Sequence, residues 1–150
     1  MLPMAGGPAA GLDDRQGRGK GQMAIRVVRL GSPRAPDEGL RLGTVRRPPR
    51  GVPKREHASR DFYDVWLPDL APSEALVKEA LRASDARAWR AFTRRYRSEM
   101  KRPEARRLLD LLGALSRVTP LAVGCYCADE TRCHRSVLRA LLREHGATVV

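Results

Sequence analysis

Aromatic residues are scarce in this 150-residue chain, with two Phe, two Trp and three Tyr making 5% of the whole. Basic residues interleaved with exposed aromatics, the usual makings of a base-stacking surface, are absent. Acidic groups are also in short supply, 17 against 29 Lys and Arg, for a formal net charge of +12. An imbalance of that size favours anionic partners such as nucleotides, phosphorylated metabolites or nucleic acid. No apolar run is long enough to span a bilayer and no secretory h-region is visible, so a cytoplasmic location without a membrane partner is expected. Cysteine is limited to three residues, Cys125, Cys127 and Cys133. An odd, clustered set of thiols is not a secreted disulfide framework.

What is present suits one domain with a real core. Residues 1–22 are Gly-rich, polar and without periodicity, which reads as a disordered tail, with Met23 as an alternative start. The domain is then expected over 23–150. AIRVVRL at Ala24–Leu30 and LRLGTV at Leu40–Val45 read as strands. Residues 59–67 read as a short irregular segment packing Trp66 inward. Ser73 with Glu74 behind it marks a helix start, and that helix runs to about Arg82. Asp85 caps a second helix reaching about Lys101, with Trp89, Phe92 and Tyr96 on its core face. Pro103 suits the first position of a third helix, which ends near Arg117. A last helix closes at His145-Gly146, and Ala147–Val150 would form a final short strand.

The chemistry concentrates in LAVGCYCADETRCHRSVLRALL, Leu121–Leu142. An apolar strand, Leu121–Cys127, gives way to five polar residues and then to a helix opening at Cys133-His134-Arg135-Ser136. The first turn of a helix presents unpaired N–H groups and a partial positive charge, where an anion can sit. Arg132 and Arg135 add guanidinium forks, and Ser136 adds a hydroxyl. The same setting lowers a thiol pKa, so Cys133 or Cys127 would line the site or attack, and His134 would move protons. Alternation places Cys125 and Cys127 on one strand face, with Cys125 read as core packing.

A second basic stretch, RRPPRGVPK at Arg46–Lys54, cannot be a regular element, because Pro48 and Pro49 lack amide donors and Gly51 loosens the chain again. It would present Arg46, Arg47, Arg50 and Lys54 as a stiff anion clamp. A metal centre is not expected: Cys125 and Cys127 flank a single residue, and adjacent Cys133 and His134 are poorly placed to face one ion.

Two blocks, GTVRRPPRGVPK followed by DVWLPDLAPS, and CADETRCHRSVL, resemble the bacterial and archaeal family called the domain of unknown function 488. AWRAFTRRYRSEM, Ala88–Met100, is similar as well, so the resemblance runs through nearly everything from Met23 onward. It implies a compact three-layer α/β domain of Rossmann-like type, with a mainly parallel sheet and the Cys-His-Arg turn at the strand ends. It names no reaction and no cofactor. The family's Asp-Arg-Leu-Trp-Pro-Arg-Gly loop corresponds to Val45–Gly51: Arg46, Arg50 and Gly51 match, while Val45 replaces the Asp and Pro48 the Trp. The expectation is therefore a basic pocket for a nucleotide or phosphorylated metabolite, with group transfer or hydrolysis as its chemistry. The alternatives are a nucleic-acid-binding accessory protein and a thiol-based redox or metal sensor. The pocket reading requires the arginine loop and the Cys-His-Arg turn to meet around one hollow.

Overall fold

A computed structural model describes residues 23–150; the tail expected over 1–22 lies outside the described residues. Four strands, β1 (Ile25–Arg29), β2 (Leu40–Gly43), β3 (Val65–Trp66) and β4 (Leu121–Cys125), form an all-parallel sheet in the order β1-β4-β2-β3. Among the described residues four α-helices accompany them: α1 (Glu74–Arg82), α2 (Ala86–Glu99), α3 (Pro103–Leu115) and α4 (His134–Glu144). The α/β class and the parallel sheet are as expected. The strand order differs from the 3-2-1-4-5-6 order of dinucleotide-binding sheets.

Local chemistry explains the helix starts. The Ser73 hydroxyl accepts from the Leu76 amide at 3.3 Å, and the Asp85 carboxylate accepts from the Ala88 amide at 2.8 Å. Each satisfies an amide that the first turn leaves unpaired. Pro103 opens α3, where its missing N–H costs nothing. At the other end of the chain, Gly146 takes φ +91 after α4. The expected final strand shrinks to a single bridge between Val149 and Ile25.

The two sheet faces are covered differently. Ile25, Leu42, Leu121 and Val123 share one apolar cluster with residues of all four helices, among them Leu76, Phe92, Tyr96, Leu109 and Leu138. Behind the sheet lies the irregular chain between β2 and β3. There Tyr63 packs so closely on Gly43 that a Cβ at that position would sit 2.3 Å from the ring. The third layer is therefore loop rather than helix. It is anchored by Arg41, which is fully buried and donates to both oxygens of Glu38 (2.7 and 2.9 Å) and to the Ser32 and Asp61 carbonyls.

Trp66 does not pack inward as expected. It lies on the edge strand, 42% exposed, and is held by its indole N–H donating to the Val45 carbonyl at 2.8 Å. A two-residue edge strand has no neighbour on its outer side to bury the ring. No helix among the described residues is long and apolar enough to cross a membrane.

Candidate functional site

In a parallel sheet the crevice beyond the carboxyl ends of the strands is where ligands collect. Here β2 and β4 are neighbours, and both run out into that region. After β2, Thr44 stays tied to β4: its amide and its hydroxyl both donate to the Gly124 carbonyl, at 3.1 and 2.9 Å. The arginine loop starts directly afterwards. After β4, the chain turns through Tyr126, Cys127 and a 3-10 turn at Glu130–Arg132 into α4.

Between the two lies a cavity of about 360 Å³. Arg46 and Arg47 line it from the loop, and Cys127, Arg132, Cys133 and His134 from the turn. These segments lie some eighty positions apart in the chain, and the structure brings them to one hollow. Val77 and Leu81 of α1 and Phe92 of α2 form its apolar wall, and Glu74 and Lys78 stand on the same side.

The remaining residues singled out in the sequence fall elsewhere. Arg50 is exposed and Lys54 lines a different hollow beside Trp66. The Ser136 hydroxyl donates to the Cys133 carbonyl at 3.0 Å, a bond within the first turn of α4. Arg135 is buried, with one guanidinium nitrogen donating to the Cys127 carbonyl at 2.6 Å and its Nε without a hydrogen-bond partner. Arg46 lines the cavity, but its guanidinium is engaged by the carbonyls of Pro68, Ala71 and Pro72. It thereby fixes the segment that leads into α1. Arg47 is ion-paired with Glu74 across the opening. Arg132 and Lys78 have no side-chain partner among the described residues, and Arg46 keeps one guanidinium nitrogen, Nη1, without an acceptor there. The sequence pointed to Arg132 through its neighbours. Lys78, Leu81 and Val77 sit on an amphipathic helix whose orientation only the packed structure reveals.

At the floor of the cavity the thiols and the imidazole converge. Cys125 Sγ lies 3.8 Å from Cys127 Sγ, so the two do share a face, and Cys133 Sγ lies 3.8 Å from His134 Nδ1. Adjacent Cys133 and His134 do face one point, contrary to the spacing argument. Cys133 is the N-cap of α4 with extended backbone (φ −129, ψ 150), and His134 is the first helical residue. The change of backbone conformation between them turns both side chains the same way. The His134 Nε2 lies 2.8 Å from the Thr44 carbonyl. A carbonyl can only accept, so Nε2 carries the proton and the lone pair of the neutral ring is at Nδ1, toward the sulfur.

The thiols differ in acidity. Hydrogen bonds donated toward Cys127 and Cys133, together with burial, push the Cys125 thiol far up. Donation from Cys125 and Cys133, with the Arg135 charge adding, outweighs burial and holds Cys127 down to about 3. Cys133 is also lowered, first by donation from Cys125, although Cys127 and burial work against it. Cys127 is the exposed member of the three.

A family model described as the active DUF488-N3 subclade matches residues 25–146. The chain belongs to the DUF488 family. That match spans both the arginine loop and the Cys-His-Arg turn, so the family's extent coincides with the domain that builds the cavity. No curated protein and no solved structure matches this DUF488 chain.

Proposed function

We propose that this DUF488 protein binds a small anionic ligand bearing an apolar ring, a nucleotide or a phosphorylated metabolite, and transfers or hydrolyses a group on it. The observation that carries this reading is the two-sided lining of the cavity. Val77, Leu81 and Phe92 offer an apolar wall, and Arg132 and Lys78 offer unpaired charge at its opening. The volume, about 360 Å³, is of the size that small-molecule sites take. A base would lie against the wall and a phosphate against the cations, with Cys127 as the exposed thiol beside it. His134 reaches the same floor through Nδ1, where it would exchange a proton with the thiols.

The test is a thermal-shift screen against nucleotides and phosphorylated metabolites, followed by calorimetry, because a ligand that binds only the native state raises its melting temperature. Arg132→Ala should weaken binding of the hit about tenfold, roughly 1.4 kcal/mol, and leave the melting temperature of the free protein unchanged. A hit bound equally well by Arg132→Ala and Lys78→Ala would place the ligand elsewhere. Binding that weakens steeply with salt, on RNA or DNA rather than on mononucleotides, would favour the nucleic-acid reading instead.

A further inference from the structure

The floor of the cavity holds a donor set to which the anion-binding reading gives only a proton exchange at His134. Cys125 Sγ, Cys133 Sγ and an imidazole nitrogen of His134 all lie within 4.8 Å of one another, and all three residues are buried. We propose that these three side chains bind a thiophilic divalent cation of the zinc class, with its fourth coordination position open to the cavity beside Cys127.

The geometry is close to that of a ligand shell. A tetrahedral ion with metal–sulfur bonds of about 2.3 Å and metal–nitrogen bonds of about 2.0 Å spaces its ligand atoms roughly 3.5–3.8 Å apart. Cys133 Sγ and His134 Nδ1 already stand 3.8 Å apart, and drawing in Cys125 requires a shift of about 1 Å at most. The imidazole is preset for the task. Its Nε2–H is engaged by the Thr44 carbonyl at 2.8 Å, which fixes the tautomer and aims the Nδ1 lone pair at the sulfurs. Metal-binding histidines are held by a bond of this kind on the far ring nitrogen.

Charge and ligand type agree. Two thiolates and a neutral imidazole balance a divalent ion, and the release of two thiol protons accompanies binding. Sulfur and imidazole donors favour zinc-like ions over magnesium or calcium, which take oxygen. Three protein ligands with a fourth position free is the pattern of a reactive or ligand-accepting site rather than a closed structural one. Cys127 Sγ lies 3.8 Å from Cys125 Sγ but outside the three-residue group.

This site does not depend on the anion-binding reading, and it is tested without any organic ligand. The full chain, reduced and stripped of metal under argon, is titrated with cobalt(II), and thiolate-to-cobalt charge-transfer absorption is followed; zinc is then added to displace the cobalt. One equivalent should bind. Cys125→Ser and Cys133→Ser should each lose at least a hundredfold in affinity, His134→Gln at least tenfold, and Cys127→Ser no more than a few-fold. Far-UV circular dichroism of each variant separates a lost ligand from a lost fold. Wild-type protein that develops no charge-transfer band overturns the proposal whatever the variants do. Full-affinity binding in a folded Cys133→Ser chain overturns it as well, and so does a loss confined to Cys127→Ser.

Discussion

Two buried polar clusters, one in the loop layer behind the sheet and one at the carboxyl end of β4, are finished to different degrees. In the Glu38–Arg41 pair every guanidinium nitrogen has an acceptor and both carboxylate oxygens have donors. In the Cys125–Cys133–His134 cluster the sulfur atoms face one another and an imidazole lone pair, with a cavity alongside. A saturated cluster has nothing left to offer a ligand and serves to fix the loop layer on the sheet. An unsaturated one retains donor capacity, and in this fold it lies on the face of the molecule that is open.

The sharpest way to break this comparison is to unsaturate the first cluster. Arg41→Ala leaves the Glu38 carboxylate buried without its partner, which should cost about 3–5 kcal/mol in denaturant unfolding. A loss below about 1 kcal/mol, the scale of an exposed pair, would show that the pair is not desolvated in solution.

The second cluster is probed by reactivity. In metal-free protein Cys127 is held to about 3, so it is already thiolate throughout the range from about pH 5 to 8, whereas an ordinary thiol with a pKa of about 8.5 becomes roughly tenfold more reactive per unit over most of it. Iodoacetamide labelling of Cys127, read by peptide mass, should therefore be nearly flat with pH. A steep rise toward pH 8 would remove the distinction between Cys127 and its neighbours.

Acid should separate the clusters further. Burial works against the carboxylates of Glu38 and Asp64, but bonding to Arg41 for the one and to Arg34 for the other, with backbone amides helping, leaves both lowered. Groups lowered in the fold contribute stability that is complete above their unfolded values, near pH 4, and that is lost as pH falls through the folded ones. Melting temperature should thus hold down to about pH 4 and decline below it, and Glu38→Gln should flatten part of that decline. The smallest effect is expected from Ser73→Ala, which removes one cap from the helix forming the cavity wall and should cost about 1 kcal/mol without altering cobalt uptake.

Much of this was legible one residue at a time. Ser73, Asp85 and Pro103 announce helix starts because capping is local chemistry, and the structure places the starts where those residues put them. The convergence of the arginine loop with the Cys-His-Arg turn was legible as a requirement, since both carry charge suited to one ligand. What was not legible depends on orientation. Trp66 reads as core by composition, yet it lies on an edge. Arg46 reads as an anion donor, but three carbonyls that meet it only in the folded chain claim its guanidinium. Glu38 and Arg41 look like ordinary surface charges until the loop closes over them. The adjacency of Cys133 and His134 argued against a shared ion because spacing was counted along the chain, whereas the angle between the two side chains is set by a change in φ and ψ.

Thr44 carries one further implication. Just past the end of β2, its amide and hydroxyl both donate to the Gly124 carbonyl of β4, and its carbonyl accepts from the His134 Nε2–H. The arginine segment therefore starts from a residue fixed to the neighbouring strand. The Tyr126 hydroxyl in turn donates to the Arg47 carbonyl at 2.9 Å, so the rim is tied to the same strand end whose cysteines form the floor.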